Sequence, residues 1–313
     1  MSYIARARAA VRDLAAESKA AAVEQSPPAF VKSVKKVAAI HDLSGFGRCS
    51  LTVIMPILSA MGVQVCPVPT AILSTHTGGF DNMVFKDLTD FILPCYEHYR
   101  RIDVEFDAIY SGFLASSEQI DGCLEFFRGY DKALKIVDPV MGDNGKPYKT
   151  YTPELCRRMS ELAKVADIIT PNLTETAILL GEDYRSALSP EMLSDKLERL
   201  CEYAEIAVIT GVLVNGEYVN AGYERNSGEF VRVEYEHIPV HYPGTGDIFA
   251  GVLTGSLLAG EDLQTAIKRA TCFSQKAVKT THEFSRALQE TGGNYENRNG
   301  VMFEGLLGEL INL

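Results

Sequence analysis

The stretch Pro243-Gly244-Thr245-Gly246-Asp247-Ile248 joins a glycine-rich turn to residues 248–259, an apolar segment rich in small side chains. Glycine lets backbone N–H groups approach an anion closely, and the amino end of a helix carries positive partial charge. The pattern therefore predicts a helix whose first turn, at residues 244–246, forms an anion hole with the Asp247 carboxylate at its mouth.

An aspartate in this position has two interpretations. Asp247 could accept the proton of an attacking hydroxyl group while the N–H groups stabilise charge on a transferring phosphoryl group. Alternatively, it could be an ordinary helix cap that follows a glycine turn. The spacing of these residues does not choose between the two, so the choice depends on the rest of the chain.

Upstream of this stretch, short apolar runs alternate with segments of helical periodicity, such as residues 51–61 and 192–203. The predicted strands are residues 37–40, 63–67, 108–111, 135–137, 167–169 and 207–210. Such alternation is typical of a parallel sheet with helices on both faces. The chain is therefore expected to have an α/β fold, a three-layer α/β/α sandwich with a central, mostly parallel sheet.

Three segments depart from this alternation. Residues 217–237 alternate apolar and polar side chains around the turn Asn226-Ser227-Gly228, which predicts an antiparallel β-hairpin. Residues 1–32 are predicted to form an Ala-rich helical extension, and residues 286–313 a loop and a short helix that docks on the body. The main domain is then expected to span residues 33–285.

Composition limits the class of function. Of the 313 residues, 46% are hydrophobic, which is enough for a sizeable core. The formal net charge of −11 argues against a broad positively charged surface that would bind nucleic acid or anionic lipid. No apolar run approaches the roughly 20 residues that span a bilayer. Seven scattered cysteines, an odd number without a C-x-x-C pair, favour a reduced, cytoplasmic setting.

Loops at the carboxyl ends of predicted strands carry the other candidate site residues, since ligands bind there in open parallel sheets. Asp138, Asp143 and Glu175 offer carboxylates, and Asn172 offers a neutral oxygen. Mg²⁺ prefers hard oxygen ligands and shares its coordination with substrate phosphates, so these residues suit a magnesium site. Helix capping is the alternative, because Asn172 and Glu175 have the three-residue separation of a capping box.

The histidines and the remaining glycines give weaker indications of a ligand-binding site. In the loop at residues 75–79, His76 and Thr77 with paired glycines could close over a small ring, or could belong to an ordinary loop. No P-loop motif is present, and Gly45-Phe46-Gly47 suits a tight turn as well as a ligand contact. The remaining histidines lack metal-ligand spacing and are expected to be structural or exposed. They are His41, His98, His237, His241 and His282.

Taken together and in this order, the segments resemble the ribokinase superfamily, in particular its branch of pyridoxal and hydroxymethylpyrimidine kinases. Gly-Thr-Gly-Asp at residues 244–247 is typical of the superfamily. Ser-Thr-His-Thr-Gly at 74–78, Asp-Pro-Val-Met-Gly-Asp at 138–143 and Ile-Thr-Pro-Asn at 169–172 followed by a glutamate resemble the vitamin B6 kinases. The resemblance covers roughly residues 37–280.

This resemblance implies transfer of the γ-phosphate of ATP to the 5′-hydroxymethyl group of a B6 vitamer, with Mg²⁺ as the metal. Asp247 would be the general base, with Gly244, Thr245 and Gly246 as the anion hole. The implied substrate-binding residues are Asp42, Ser44, His76, Thr77 and Asp247; the nucleotide-binding residues are Asp138, Asp143, Thr170, Asn172, Thr210, Gly211 and Thr245; and the metal-binding residues are Asp138, Asp143 and Glu175. Residues 142–151 resemble a flexible flap, and relatives of this kind are usually homodimers.

Two departures from the pattern bear on the substrate. The first strand of animal pyridoxal kinases ends in Gln-Ser-His. Here the corresponding sequence is His41-Asp42-Leu43-Ser44-Gly45, which is closer to that of the pyrimidine kinases. Because of this difference, the resemblance leaves open whether Asp42 or Ser44 contacts substrate. Pyrimidine kinases often have cysteine where Asp247 stands, so the aspartate favours a pyridoxal kinase. The alternatives are a hydroxymethylpyrimidine kinase and a non-catalytic protein that binds pyridoxal or nucleotide.

Overall fold

A computed structural model describes residues 34–148 and 150–311, so the helical extension predicted at residues 1–32 lies outside the described residues. The strands are β1 (Lys36–Phe46), β2 (Gln64–Thr75), β3 (Phe85–Asp87), β4 (Ala108–Ser111), β5 (Leu134–Val137), β6 (Gly142–Asp143), β7 (Lys146–Pro147), β8 (Ile168–Ile169), β9 (Ile206–Val214), β10 (Glu217–Glu224) and β11 (Glu229–Tyr235). Nine of them form one sheet in the order β11-β10-β9-β8-β5-β4-β1-β2-β3, and β6 pairs with β7 alone.

The sheet is parallel at its centre and antiparallel at its edges. Strands β2, β1, β4, β5, β8 and β9 pair in parallel, whereas β3 runs antiparallel to β2 at one edge and β10 and β11 form an antiparallel pair at the other. The last pair is the hairpin predicted at residues 217–237. The predicted mostly parallel sheet is therefore confirmed.

Helices cover both faces of this sheet. They are α1 (Leu51–Ala60), α2 (Thr89–Arg101), α3 (Ser117–Gly129), α4 (Pro153–Ala163), α5 (Leu173–Leu180), α6 (Pro190–Leu200), α7 (Thr245–Leu258) and α8 (Leu263–Glu290). Helices α2 to α6 pack side by side on one face, and α1, α7 and α8 pack on the other. The three-layer α/β/α sandwich is confirmed.

Side-chain alternation along β1 explains the two layers. Ala38 and Ile40 are buried in the core shared with α2 to α6, whereas Val37 and Ala39 are buried against α1. Successive strand residues point to opposite faces, so a strand covered on both sides needs apolar residues at every position. The unbroken apolar run in the sequence follows from this double burial.

Strand β1 is longer than predicted and continues to Phe46 because β2 extends beside it as far as Thr75. Their pairing shifts register between His41 and Leu43, which marks an irregularity of the β-bulge type. Bulges re-aim side chains, and His41 and Asp42 are both buried here although they are neighbours in a strand. Most of the predicted loop after the first strand is therefore strand.

The residues after Asp247 form two consecutive helices. Helix α7 contains the apolar segment at residues 248–258, and α8 begins with Asp262 as its cap. The final apolar segment is a 3₁₀-helix, Glu304–Leu310. Among the described residues, no helix combines the length and the apolar character that crossing a membrane requires.

Candidate active site

Asp247 lies in the first turn of α7, where a glycine shapes the preceding loop. Gly244 has a φ of 87°, and a Cβ atom on it would lie 2.0 Å from the carbonyl oxygen of Arg48. The left-handed backbone and this close approach both require glycine. The loop that precedes α1 is thereby packed directly against the start of α7.

Space is open in front of this helix end. A Cβ atom on Gly246 would meet no heavy atom within 4 Å among the described residues. The Thr245 hydroxyl donates a 3.0 Å hydrogen bond to the carbonyl oxygen of Tyr242, so it stabilises the turn. Backbone N–H groups and the helix dipole therefore remain to attract an anion here.

The carboxylate of Asp247 is held on both of its oxygens. Its Oδ2 accepts a 2.7 Å hydrogen bond from the backbone N–H of Ser50, and its Oδ1 lies 3.1 Å from Nε2 of His41. The side chain is 11% exposed. Asp247 therefore has a fixed orientation and still reaches the open space.

His41 lies between two carboxylates. Its Nδ1 is 2.9 Å from Oδ1 of Asp42, and its Nε2 contacts Asp247. Burial lowers the pKa of His41, but the hydrogen bonds to Asp247 and Asp42 and the charges of both outweigh burial and raise it to about 10. The raised pKa favours the imidazolium form at neutral pH, whereas the sequence predicted only that His41 is structural or exposed.

Asp42 and Ser44 face each other rather than the open space. The Ser44 hydroxyl donates a 2.8 Å hydrogen bond to Oδ2 of Asp42, and both residues are buried. Although burial raises the pKa of Asp42, the hydrogen bond with His41 and its charge lower it overall. Both oxygens of Asp42 therefore have partners within the protein, which weakens the expectation that this carboxylate contacts substrate.

A second carboxylate pair, Asp138 and Glu175, lies at the ends of β5 and β8. Burial, followed by the charge of Asp247, raises the pKa of Asp138 to about 7. Burial and then the charge of Asp138 raise the pKa of Glu175 well above its usual range. Each of the two carboxylates is therefore raised in pKa by burial and by a neighbouring negative charge.

Hydrogen bonds fix this pair. Tyr110 donates a 3.2 Å hydrogen bond to Oδ2 of Asp138, whereas the Thr170 hydroxyl is buried without a hydrogen-bond partner among the described residues. Glu175 accepts backbone hydrogen bonds on both oxygens, from Met141 at 3.1 Å and from Asn172 at 2.9 Å. Glu175 is therefore oriented by the backbone.

Asn172 begins α5 through a capping box. Its Oδ1 accepts hydrogen bonds from the N–H groups of Thr174 and Glu175, while Glu175 accepts from the N–H of Asn172. The capping alternative from the sequence is thus confirmed. The Asn172 amide also donates a 2.9 Å hydrogen bond to the carbonyl oxygen of Gly142, which connects α5 to the 142–151 segment.

The acidic pair suits Mg²⁺. Two buried carboxylates with raised pKa values would be relieved by a cation, and Mg²⁺ is usually held by one or two carboxylates together with substrate phosphates. Within residues 34–148 and 150–311, no group of three or more His, Cys, Asp or Glu side chains is placed to hold a metal ion. Asp138 and Glu175 alone fit the one or two carboxylates that Mg²⁺ takes when substrate phosphates complete its coordination.

Asp143 lies apart from this pair, in the hairpin formed by β6 and β7. Its carboxylate accepts hydrogen bonds from the backbone and side chain of Asn144, at 2.8 and 3.0 Å, and lies 3.7 Å from Nδ1 of His241. The hairpin is anchored where Gly145 donates a 2.9 Å hydrogen bond to the Thr174 hydroxyl. In this conformation the Asp143 carboxylate therefore has its partners in Asn144 and His241.

On the opposite side of the site, His76 is buried and holds its loop in place. The amide of Gly78 donates to its Nδ1 at 3.1 Å, so Nε2 carries the proton and donates to the carbonyl oxygen of Arg298 at 2.6 Å. Thr77 is exposed. Of the two residues, only Thr77 is free to contact a ligand in this conformation.

Thr210 and Gly211 lie in β9 beside the start of α5. The N–H of Thr210 donates to the carbonyl oxygen of Pro171 at 3.1 Å, and Thr210 forms a parallel bridge with Asn172. The N–H of Gly211 donates to Oδ1 of Asn220 at 2.9 Å. Thr210 therefore adjoins the Asn172 cap, and Gly211 follows it in the strand.

Comparison with known proteins identifies the family. The model of the phosphomethylpyrimidine kinase family matches residues 55–291. Among curated proteins, the pyridoxal kinase PdxY of Rubrobacter xylanophilus is 27% identical over 256 residues, covering 74% of this chain and 83% of its own.

Solved structures agree with this assignment. A provisionally assigned phosphomethylpyrimidine kinase from Bacteroides thetaiotaomicron is 41% identical, with a TM-score of 0.83 over 90% of this chain and 96% of its own, and another crystal form of it contains pyridoxal. The pyridoxal kinase of Lactobacillus plantarum is 29% identical, with a TM-score of 0.77 over 90% of this chain and 97% of its own. The chain therefore belongs to the phosphomethylpyrimidine kinase family of ribokinase-like kinases.

Proposed function

We propose that this protein is an ATP-dependent kinase that phosphorylates the 5′-hydroxymethyl group of pyridoxal, pyridoxamine or pyridoxine. The main support for the proposal is the position of the Asp247 carboxylate. It lies in the first turn of α7 and accepts a hydrogen bond from the N–H of Ser50. A base beside a helix amino end is what transfer of a phosphoryl group to an alcohol requires. The aspartate and the relatives that act on pyridoxal favour a B6 vitamer.

In the proposed reaction, the vitamer alcohol binds beside Asp247 with the γ-phosphate of ATP in front of residues 244–246. Asp247 accepts the hydroxyl proton as the alcohol oxygen forms its bond to the γ-phosphorus. The bond from that phosphorus to the β,γ-bridging oxygen breaks, and ADP leaves with the electron pair. Backbone N–H groups at the start of α7 stabilise charge on the transferring group.

The acidic pair would hold the metal. Mg²⁺, when bound, neutralises charge on the nucleotide phosphates. Asp138 would bind it directly, and Glu175, whose oxygens already accept two backbone hydrogen bonds, would act through water. Thr170, Asn172, Thr210 and Gly211 would border the nucleotide, and the hairpin formed by β6 and β7 would close over it to exclude water.

A hydroxymethylpyrimidine kinase is the second candidate, because the matching family model is that of phosphomethylpyrimidine kinase. The test measures kcat/KM of the purified protein, with Mg²⁺ and ATP, for each of four alcohols: pyridoxal, pyridoxamine, pyridoxine and hydroxymethylpyrimidine. The proposal expects the highest value for a B6 vitamer. A higher value for the pyrimidine would establish the second candidate, and tight binding without any phosphorylated product would establish a binding protein.

Location and assembly are part of the same proposal. All seven cysteines lie among the described residues and are free thiols, which favours a cytoplasmic protein. A homodimer is proposed by analogy with related kinases. Light scattering of the purified full chain would test it, and a mass equal to one chain would contradict it.

A further inference from the structure

We propose that His41, held by Asp42, is a positioning residue that fixes the orientation and the charge of Asp247 for catalysis. This inference rests on the proposed function, since it assigns His41 a role that acts through the general base. Hydrogen bonds link Ser44, Asp42, His41 and Asp247 in one buried chain, with distances of 2.8, 2.9 and 3.1 Å.

Two hydrogen bonds limit the rotation of the Asp247 carboxylate. A carboxylate in an open site can rotate about its last torsion, because that torsion is soft. Asp247 cannot rotate freely, because Ser50 N–H binds one oxygen and His41 binds the other. The remaining lone pairs then point in a constant direction, which is the condition for efficient proton transfer from a bound alcohol.

Nδ1 of His41 has two backbone N–H groups and one carboxylate oxygen within hydrogen-bond distance. The amides of Asp42 and Phe113 also approach this nitrogen, at 2.9 and 3.3 Å, as they would approach a neutral ring that accepts there. However, Oδ1 of Asp42 lies 2.9 Å from the same nitrogen. Two bare acceptors at this distance repel each other, so a proton belongs between them, and the proposal places that proton on the ring, which is then doubly protonated.

The charged groups around His41 are consistent with a doubly protonated ring. Asp42 and Asp247 contact its two nitrogens, and Asp138 acts on it from the end of β5. Tyr110 stacks on the ring with centroids 6.1 Å apart, and its pKa is raised well above the usual value by burial and by the charge of Asp138. The Cys49 thiol nearby also has a raised pKa because of burial. His41 is therefore the cation among neutral and acidic neighbours.

The fold keeps space for this ring. A Cβ atom on Gly112 would lie 2.1 Å from Cδ2 of His41, so a larger residue at 112 would displace the imidazole. His41 is 1% exposed, and its contacts to Asp42 and Asp247 account for both of its nitrogens. Under this proposal Asp42 holds His41 and does not bind the vitamer.

Two neutral replacements test the inference. The amide of His41→Gln can reach the position of Nε2 and donate to Asp247, whereas the shorter His41→Asn reaches only the position of Nδ1. We expect His41→Asn to lower kcat by about 10- to 100-fold, with the KM for ATP within about twofold, and His41→Gln to recover part of the loss. Equal losses in both variants, or a raised KM with unchanged kcat, would overturn the inference.

A double-mutant cycle separates positioning from general structural damage. If His41 acts through Asp247, His41→Asn made in the Asp247→Asn background should cost less than about threefold in single-turnover rate. The same loss in both backgrounds would mean that His41 acts elsewhere. Wild-type turnover is measured first, and a wild-type protein that phosphorylates no alcohol would refute the proposed function rather than the role of His41.

NMR of the wild-type protein keeps the inference testable if the variants do not fold. At about pH 8, above the usual histidine range, long-range ¹H–¹⁵N spectra should show His41 with both ring nitrogens protonated. Its resonances are identified by their contacts with the Tyr110 ring, which no other histidine shares among the described residues. A neutral ring with a bare Nδ1 would contradict the inference even if turnover is normal.

Discussion

Tyr110 donates a 3.2 Å hydrogen bond to Oδ2 of Asp138 while its ring stacks on His41, so one fully buried side chain touches both halves of the site. On one side lies the acidic pair suited to a metal, and on the other lies the group that orients Asp247. Strand β4, which carries Tyr110, is thus the element that sets their spacing.

Tyr110→Phe should therefore weaken metal use without unfolding the protein. Loss of one hydrogen bond to a buried carboxylate costs about 1–3 kcal/mol. We expect the Mg²⁺ concentration for half-maximal rate to rise by about 3- to 10-fold, since Asp138 would be less well oriented. Tyr130→Phe is the matched control, because within the described residues the Tyr130 hydroxyl is buried without a hydrogen-bond partner. An unchanged Mg²⁺ requirement in Tyr110→Phe would remove this role.

Asp247→Asn tests the general base itself. The amide has nearly the same shape and can still accept the Ser50 hydrogen bond, but it cannot take a proton from the alcohol. We expect kcat to fall by about 10²- to 10⁴-fold while ATP binding, measured by calorimetry, is retained. Asp262→Asn is the control, since Asp262 caps α8 by accepting from Thr265 at 2.7 Å. Turnover like that of the wild type would disprove the assignment.

Gly244→Ala tests the anion hole. The variant combines a left-handed backbone with a Cβ atom 2.0 Å from the Arg48 carbonyl oxygen, so the start of α7 must shift. We expect kcat/KM to fall by about 100-fold or more, as when oxyanion donors are misplaced. Gly260→Ala shares the strain, with a φ of 90°, but its Cβ would meet no described atom within 4 Å. Equal losses of activity in both variants would show that strain alone is responsible.

Arg298→Ala tests the substrate side. The Arg298 guanidinium lies 4.8 Å from the centre of the Phe80 ring and donates a 2.8 Å hydrogen bond to the carbonyl oxygen of Gly79. Without these contacts the loop that carries Thr77 should be less ordered. We expect the KM for the B6 vitamer to rise by about 3- to 10-fold, while the KM for ATP stays constant. Arg157→Ala, which removes an exposed ion pair on α4, should change neither KM.

The sequence predicted those parts of the site that lie close together in the chain. Asp247 follows its glycines directly, and Asn172 and Glu175 are three residues apart, so a local pattern indicated both the helix starts and the carboxylates. The layers were predictable for the same reason, because double burial of β1 needs an unbroken apolar run.

Contacts between distant parts of the chain could not be predicted. His41 and Asp247 are 206 positions apart, and Arg298 and Gly79 are 219 apart. A lone histidine in an apolar strand gives no spacing signal, and the bulge that buries both His41 and Asp42 depends on pairing with β2. One hint was present, since His41 directly precedes Asp42 near the end of a strand predicted to border the site.

The charge on His41 also predicts how stability changes with pH. Its pKa is raised from the usual 6.5 to about 10, so the stabilisation is complete below pH 6.5 and is lost as the pH rises through about 10. Asp138 and Glu175 have raised pKa values too, and they reduce stability as they ionise. A comparison with His41→Gln, in which both carboxylates remain, therefore reports the loss of the imidazolium together with its effect on the pKa of Asp138.

We expect the difference in free energy of unfolding between wild type and His41→Gln to shrink as the pH rises from about 6.5 to about 10. Urea unfolding at a series of pH values measures this difference. His98→Gln is the matched control for the substitution itself, because His98 is exposed on α2. A His41→Gln difference that stays constant, or that grows with pH, would show that His41 is neutral in the folded protein.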